Sequence, residues 1–186
     1  KNRRGPVFVT SSIGKDIKLE ADRRSEEMII RMLQEKTGLP IISEESGEIE
    51  GERPSRSLRW IVDPLDGSIN YFKGIPVCCV SIGLWRTDKP LLGVIYDFNR
   101  GELFAGVVGD GAWLNGRPIR VGSVRKTEDA VLCTGFPVSA DFSTDAILRF
   151  VEQVKRYKKL RNIGSAALSL CYVASGRADA YFERNI

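Results

Sequence analysis

An apolar segment that ends in a carboxylate-rich turn restricts the fold of this chain more than any other feature. Residues 58–62 (LRWIV) have the composition of a buried strand and run directly into Asp63-Pro64-Leu65-Asp66-Gly67-Ser68. Pro64 fixes one φ angle and Gly67 permits a tight turn, so the chain must leave the strand sharply. The pattern therefore predicts two aspartates held close together at the end of a buried strand.

The rest of the chain alternates helix and strand patterns without an internal repeat. A central series of apolar segments separated by turn residues predicts an antiparallel meander, and Asn115-Gly116 is a strong hairpin signal. Asp22 is predicted to cap the first helix, whose apolar stripe is Met28, Ile29, Met32 and Leu33. The mixture predicts an α+β or layered fold. The predicted helices are residues 22–35, 143–157 and 164–175. The predicted strands are residues 7–12, 16–20, 41–42, 58–62, 77–85, 91–96, 102–108, 112–114, 119–121, 130–134 and 178–183. Residues 48–57 are predicted to form a loop.

Composition narrows the possible chemistry. The chain has 186 residues, enough for one domain with a core. It has no histidine, which excludes Ser-His-Asp and Cys-His catalysis and histidine-ligated zinc. A metal site here must use mainly oxygen ligands, which favours Mg²⁺, Mn²⁺ or Ca²⁺. The four cysteines lack CxxC spacing and are predicted to be buried, reduced thiols.

Charge and hydropathy give expectations about location and partners. No apolar run approaches the about 20 residues of a membrane helix, and no signal peptide is visible, so we expect a cytoplasmic protein without membrane contact. The net charge is +4, and the basic run at 155–161 (KRYKKLR) is the densest cluster. A solvated helix end is the favoured interpretation of that run, and nucleic-acid binding is the alternative.

The carboxylates around the turn predict a metal site. Asp63, Asp66 and the carbonyl oxygen of Leu65 can point to one place and form a hard oxygen cage. Glu44 also follows a short predicted strand and can add a ligand, because a cation would relieve the repulsion among clustered carboxylates. Ser68 follows the turn, where its hydroxyl can orient a water molecule. The alternative is a structural turn in which the aspartates only cap backbone groups.

A second candidate lies near the C-terminal end of the sequence. Gly164-Ser165-Ala166 precedes an apolar helical pattern, and amides at a helix N-terminus favour an anion. A plain junction between a loop and a helix is the alternative.

The stretch from 60 to 76 (WIVDPLDGSINYFKGIP) resembles the metal-site signature of the inositol monophosphatase family, W-x-x-D-P-[LI]-D-G-[TS]-x-N-F-x-x-G-x-P. Residues 16–46 resemble the family's upstream segment, and residues 80–121 resemble its central strands. Residues 160–183 resemble its second signature, G-S-A-A-x-x-x-C-x-V-A-x-G-x-x-D-A-Y-x-E. The resemblance implies a layered α-β-α-β(-α) sandwich of the inositol monophosphatase or sugar phosphatase type.

The resemblance also implies a metal-ligand set. Glu44, Asp63 and the Leu65 carbonyl would hold one Mg²⁺, and Asp63 and Asp66 would share a second. Glu44 would also touch a third, weaker ion, so two or three Mg²⁺ ions are expected in each site.

The remaining roles implied by the resemblance concern water and substrate. Ser68, oriented by Asp22, would help Glu44 to activate a water molecule. Substrate binding would use one group of backbone and side-chain contacts: Gly67, Ser68, Gly164, Ser165, Ala166 and Glu183. The amides of Gly67 and Ser68 would hold the phosphate, and Glu183 would contact a sugar hydroxyl.

The implied activity is that of a phosphoric monoester hydrolase acting on a small phosphate ester, with inositol monophosphate as the first candidate. Fructose 1,6-bisphosphate and 3′-phosphoadenosine 5′-phosphate are alternative substrates. A non-enzymatic alternative is a pseudophosphatase that regulates a partner such as RNA polymerase or RNA. For the enzyme we expect a homodimer by analogy, and no nucleic-acid partner.

The family pattern extends beyond this sequence at both ends. Family members carry an N-terminal helix and, beyond the position of Glu183, a Trp-Asp pair whose aspartate ligates the second metal. The sequence ends at Ile186, before that pair. We therefore expect residues 1–186 to form a single inositol monophosphatase-like domain that lacks the N-terminal helix and the C-terminal part of the second subdomain.

Overall fold

The computed structural model describes residues 9–13, 16–53, 57–136 and 139–184. The chain divides into two compact units, residues 1–118 and residues 119–186. The expected single-domain organisation stays a prediction.

The first unit contains an eight-stranded sheet, a two-stranded hairpin and two helices. The hairpin pairs β1 (Val9–Ile13) with β2 (Asp16–Leu19). The helices are α1 (Glu20–Thr37) and α2 (Ser68–Lys73). The large sheet has the order β10-β9-β8-β7-β6-β5-β3-β4. Its strands are β3 (Ile41–Ser43), β4 (Gly47–Ile49), β5 (Leu58–Asp66), β6 (Cys79–Arg86), β7 (Lys89–Asp97), β8 (Glu102–Val107), β9 (Gly111–Leu114) and β10 (Arg117–Pro118).

Strand β5 has two different neighbours, and this positions the carboxylates. It runs parallel to β3, with Ser43 opposite Val62, so the segments that follow β3 and β5 emerge at the same edge of the sheet. It runs antiparallel to β6, and the register is irregular between Asp63 and Asp66. The irregularity lets the chain bend at the residues that carry the carboxylates.

A small apolar cluster packs against this bend. Leu19, Leu65 and Cys78 form its buried centre. Partly buried side chains pack around them: Ala21, Tyr71, Phe72 and Phe98. The Tyr71 and Phe98 rings meet edge to face at 6.3 Å between centroids, a favourable aromatic arrangement. Packing of Leu65 in this cluster therefore holds the bend that carries the polar groups.

The second unit is built on a three-stranded parallel sheet of order β12-β11-β13. Its strands are β11 (Val131–Thr134), β12 (Lys159–Asn162) and β13 (Ala180–Phe182), and its helices are α3 (Thr144–Val154) and α4 (Ala166–Ala174). Leu132 and Leu168 are fully buried. Strand β12 is exposed along its whole length, and so are Ile147, Leu148 and Val151 on α3.

The predicted α+β class and most predicted elements are confirmed. The meander is present, and Asn115-Gly116 forms the β9–β10 turn with φ angles of 48° and 76°. The hairpin between β1 and β2 is present, although its predicted turn residue, Gly14, lies outside the described residues. The four cysteines are free and buried, as expected.

Several predicted boundaries were wrong because local patterns do not show pairing partners. Residues 47–49 form β4 inside the predicted loop, since β3 offers them an antiparallel partner. Residues 119–121 are not a strand, because β9 pairs with Arg117 and Pro118 instead. The basic run is not a single helix end: α3 ends at Val154, and the run continues into β12.

The predicted apolar stripe of α1 is confirmed only in part. Met28 and Met32 are 54% and 47% exposed, whereas the buried residues of the helix are Asp22 and Glu26. The helix begins at Glu20, so Asp22 lies in its first turn, and it caps the helix from there by accepting a hydrogen bond from the Leu19 amide. Ile29 and Leu33 are half-buried on the same face as these two carboxylates, so the buried face of α1 combines polar and apolar residues. Among the described residues, no helix is long and apolar enough to cross a membrane.

Candidate metal and phosphate site

Glu44 and Asp63 are brought together by the parallel pairing of β3 and β5. Glu44 follows β3, and its amide donates a hydrogen bond to the Val62 carbonyl oxygen at 3.1 Å. This backbone contact places Glu44 beside the residue that follows Val62. The carboxyl groups of Glu44 and Asp63 lie within hydrogen-bonding reach of each other.

The electrostatics of Asp63 indicate a cluster of like charges. Burial is the main cause that raises its pKa to about 8, followed by the negative charges of Glu44 and Asp66. One backbone hydrogen bond acts in the other direction, because the Leu65 amide donates to Asp63 Oδ1 at 3.0 Å. The predicted alternative, an aspartate that caps the turn, is thus also present, and it uses one oxygen of the carboxylate.

Asp66 completes the carboxylate group at the end of β5. It pairs with Cys79 across the sheet, and the Cys79 thiol lies 3.6 Å from Asp66 Oδ2, where it can donate a weak hydrogen bond. Sequence reasoning missed this contact, since it arises from the irregular register between β5 and β6.

Leu65, Gly67 and Ser68 form the turn that follows the carboxylates. The Ser68 hydroxyl donates to the Leu65 carbonyl oxygen at 3.0 Å. A carbonyl oxygen has two lone pairs, so this bond leaves capacity for a second partner. Gly67 has a φ of 89°, a left-handed conformation that favours glycine, and it precedes α2. The predicted turn is confirmed, and it places Ser68 next to the predicted ligands.

The first turns of α1 supply contacts to both loops that carry carboxylates. Asp22 Oδ2 accepts a hydrogen bond from the Leu19 amide at 2.9 Å and is 2% exposed. Ser25 donates to the Pro64 carbonyl oxygen at 3.2 Å. Glu26 accepts hydrogen bonds from the Ser46 amide at 3.0 Å and from the Ser46 hydroxyl at 2.7 Å. Sequence reasoning did not single out Ser25 or Glu26, and only their helical spacing from Asp22 could have indicated them.

In the second unit, the predicted anion-binding segment lies at the start of α4. Gly164 precedes the helix with a φ of 68°, and Ala166 is its first residue. Ser165 is the N-cap, and its hydroxyl accepts a hydrogen bond from the Leu168 amide at 3.2 Å. The helix thus begins two residues later than predicted, with Ser165 satisfying one of its amides.

Glu183 follows β13 and has a defined position. The Tyr181 hydroxyl donates to Glu183 Oε2 at 2.7 Å. A Cβ atom at Gly135 would lie 2.5 Å from the same carboxylate, so a larger residue there would displace it. The carboxylate therefore lies between a hydrogen-bond donor and the backbone of Gly135.

The donor set of the first unit fits a hard divalent cation. Within the described ranges, no three acidic or thiol side chains already have the spacing of a complete metal centre. The donors present are carboxylate and carbonyl oxygens, which Mg²⁺ prefers. The pKa of Asp63 is raised mainly by burial and further by the charges of Glu44 and Asp66, and a bound cation would favour its charged form.

A family model decides the classification of the chain. The model of the inositol monophosphatase family matches residues 7–186. The chain belongs to the inositol monophosphatase family. The resemblance predicted from the two signatures is thereby confirmed, and membership supports phosphatase activity at the level of the family.

Curated relatives of this family member carry two kinds of name. The Nus factor SuhB of Pasteurella multocida (strain Pm70) is 38% identical over 97% of this chain and 68% of its own length. The inositol-1-monophosphatase of Mesorhizobium japonicum is 37% identical over 90% of this chain and 63% of its own length. The first name is not that of an enzyme, so the relatives do not support our expectation that nucleic acid plays no part.

Solved structures confirm the fold. The extragenic suppressor protein SuhB of Bartonella henselae is 37% identical and superposes with a TM-score of 0.87 over 97% of this chain and 69% of its own. A phosphatase described as acting on inositol phosphates and NADP, complexed with Mg²⁺ and phosphate, is 21% identical with a TM-score of 0.78 over 95% of this chain and 66% of its own. The second likeness concerns the fold alone.

Proposed function

We propose that this member of the inositol monophosphatase family catalyses Mg²⁺-dependent hydrolysis of a small phosphate monoester, with water as the nucleophile. Inositol monophosphate is the first candidate substrate, and fructose 1,6-bisphosphate and 3′-phosphoadenosine 5′-phosphate are the alternatives. A homodimer in the cytoplasm belongs to the same proposal.

One observation carries the proposal: three carboxylates gather where two parallel strands end. The pKa of Asp63 is raised first by burial and then by Glu44 and Asp66. Such a group destabilises the fold unless a cation is bound, so its presence supports a functional role. The adjacent Ser68 hydroxyl and the Leu65 carbonyl give the cluster further oxygen donors.

The proposed ligands divide into two groups that share Asp63. Glu44, Asp63 and the Leu65 carbonyl would hold one Mg²⁺, and Asp63 with Asp66 would hold another, with a third ion near Glu44. Bound Mg²⁺ would supply Lewis acidity that activates water and neutralises charge on the phosphoryl and leaving oxygens.

The chain's own residues would orient the reactants. Glu44 and Ser68 would align the attacking water. Asp22, on α1, would orient Ser68. The amides of Gly67 and Ser68 would hold the phosphate. Gly164, Ser165 and Ala166 would line the substrate site, and Glu183 would accept a hydrogen bond from a substrate hydroxyl.

Phosphate release tests the proposal. The protein is assayed on the three candidate substrates with Mg²⁺ and with EDTA, beside the Asp88→Asn variant, an exposed turn residue far along the sequence from the carboxylates. We expect Mg²⁺-dependent release by both proteins, and the order of rates identifies the substrate. Absence of release from every substrate in Mg²⁺ would contradict the proposal.

A regulatory binding function is the second candidate, and the names of the SuhB relatives favour it. The exposed basic residues at the end of α3 and along β12 would supply the contact: Lys155, Arg156, Lys158, Lys159 and Arg161. Lys155 already pairs with Glu152 at 2.6 Å, so part of its charge is offset. Gel-shift titration of RNA at several salt concentrations tests this candidate. Affinity that falls steeply with salt and with Lys158→Glu would support it, and equal affinity in that variant would contradict it.

A further inference from the structure

Glu26 is a buried carboxylate that the proposed chemistry does not use. It lies on α1, one helical turn after Asp22, and is 3% exposed. Burial acts to raise its pKa, but hydrogen bonds with Ser43, Ser46 and Glu45 outweigh burial, and the pKa lies below its usual value. A buried ionised carboxylate is costly unless its hydrogen bonds are satisfied, so its presence here needs an explanation.

The partners of Glu26 lie in the turn that carries Glu44. Both carboxylate oxygens of Glu26 are used: Oε1 accepts from the Ser46 amide at 3.0 Å, and Oε2 accepts from the Ser46 hydroxyl at 2.7 Å. Ser46 is two residues after Glu44 in the turn between β3 and β4. Two charge-assisted hydrogen bonds fix both the position and the orientation of this part of the turn.

The other end of the same turn is fixed by the sheet. The Glu44 amide donates to the Val62 carbonyl oxygen at 3.1 Å, one residue before Asp63. Glu44 is thus held between two anchors, a backbone bond to β5 on one side and the Glu26–Ser46 contact on the other. Because Glu44 is exposed, these anchors set the position of its backbone beside Asp63, from which its side chain extends.

Helix α1 also holds the loop that carries Asp63. Ser25, the neighbour of Glu26, donates to the Pro64 carbonyl oxygen at 3.2 Å. The same turn of one helix therefore contacts both segments that supply carboxylates. This arrangement restricts how far the two segments can move apart.

We infer that Glu26 is a positioning residue that, through Ser46, holds Glu44 at the distance from Asp63 that Mg²⁺ binding requires. The inference rests on the proposed function, because it assigns Glu26 to the same metal site. Partners behind the direct ligands typically change metal affinity about 10–100-fold when they are replaced. Glu26 is expected to act in this way, without touching the cation or the substrate.

Glu26→Gln and Glu26→Asp distinguish the contribution of side-chain length from that of charge. Glu26→Gln keeps the length of the side chain but removes the negative charge that strengthens both hydrogen bonds with Ser46. Glu26→Asp keeps the charge but is one methylene too short to make both bonds. If position is what matters, both variants must weaken Mg²⁺ binding. Glu27→Gln is the matched control, since Glu27 is the next residue on the helix and its side chain is 60% exposed.

Calorimetric titration of Mg²⁺ without substrate, on the intact protein, is the main measurement. We expect Glu26→Gln and Glu26→Asp to raise the Kd for Mg²⁺ about tenfold, and Glu27→Gln to change it less than about twofold. At saturating Mg²⁺, kcat of both Glu26 variants should return close to the wild-type value, with KM for substrate unchanged. A purely structural role would lower the unfolding temperature in EDTA without changing the Kd.

A double-mutant cycle with Ser46→Ala adds a second test. The Ser46→Ala change removes one of the two bonds, so its effect on the Kd should be smaller than that of Glu26→Gln. The double variant should bind Mg²⁺ no more weakly than Glu26→Gln alone, because both changes act through one contact. An unchanged Kd in Glu26→Gln, or full affinity in Glu26→Asp, would overturn this inference but not the proposed function. Absence of Mg²⁺ binding in the wild type would overturn the proposed function together with it.

Discussion

The two units of the chain place their functional side chains in different ways. In the first unit, Asp63 lies among like charges, and its pKa is raised to about 8 by burial and by its neighbours. In the second unit, Glu183 lies beside a hydrogen-bond donor, the Tyr181 hydroxyl at 2.7 Å. The first arrangement disfavours the charged form of Asp63, whereas the second gives the Glu183 carboxylate a hydrogen-bond donor.

This difference indicates different roles. A strained cluster of carboxylates gains from a cation and can use it for chemistry, whereas a satisfied carboxylate is suited to recognition of a hydroxyl group. Variants of the first unit should therefore affect turnover and metal response. Variants of the second unit should affect substrate preference and the stability of α4.

The largest effect is expected from Asp66→Asn. Loss of this carboxylate removes a proposed metal ligand and should lower kcat about a thousandfold or more, while the far-ultraviolet circular dichroism stays unchanged. Phosphate release at saturating Mg²⁺ is the measurement. Turnover equal to that of the wild type would contradict the assignment of the chemistry to the carboxylates of the first unit.

Asp63→Asn should separate stability from function. The asparagine Oδ1 can still accept the hydrogen bond from the Leu65 amide, but the like-charge repulsion is lost. In EDTA we expect the free energy of unfolding to rise by about 1–3 kcal/mol, and we expect the stabilisation by Mg²⁺ to disappear. Urea denaturation with and without Mg²⁺ measures both effects.

Asp88→Asn serves as the control for this experiment, since it makes the same change at an exposed turn. It should leave stability and the Mg²⁺ response unchanged. A lower stability of Asp63→Asn in EDTA would show that repulsion among the carboxylates does not destabilise the fold.

Glu183→Gln should change substrate preference and leave the chemistry itself intact. KM for a polyol phosphate should rise about tenfold, the effect of weakening a hydrogen bond to a charged group. KM for an aryl phosphate without free hydroxyls should stay the same. Tyr181→Phe should give a smaller change in the same direction, because it frees the carboxylate without removing it. An equal rise for both substrates would place Glu183 outside hydroxyl recognition.

The smallest effects are expected at two helix caps in the second unit. Ser165 is a buried N-cap, and Ser165→Ala should lower the free energy of unfolding by about 1–2 kcal/mol. Ser143 caps α3 at an exposed position with a bond of 3.3 Å, so Ser143→Ala should lower it by only about 0.5 kcal/mol. Urea denaturation compares the two variants. An equal loss of unfolding free energy in the two variants would show that burial does not strengthen the cap of α4.

The proximity of four proposed site residues could be predicted from the sequence because they are contiguous. Asp63, Leu65, Asp66 and Ser68 lie in one turn after one strand, so their proximity follows from local geometry alone. Glu44 required one further step, the expectation that two short strands end at the same place. The parallel pairing of β3 and β5 confirms that step.

The support behind the site could not be predicted in this way. Glu26 contacts Ser46, which is 20 residues away, and no local pattern records that contact. The apolar residues of α1 predicted only part of its buried face, because burial of a carboxylate depends on partners supplied by the tertiary fold. The basic run was misassigned for a similar reason, since β12 becomes a strand only by pairing with β11.

The most direct test of the account is the location of a bound cation. Crystals of the protein soaked in Mn²⁺, a stand-in for Mg²⁺, would show the ion by anomalous scattering. The account predicts a peak within ligating distance of Glu44, Asp63 and the Leu65 carbonyl oxygen, and its loss when Asp63 is replaced by asparagine. A peak only elsewhere, or none in the wild type at saturating Mn²⁺, would contradict it.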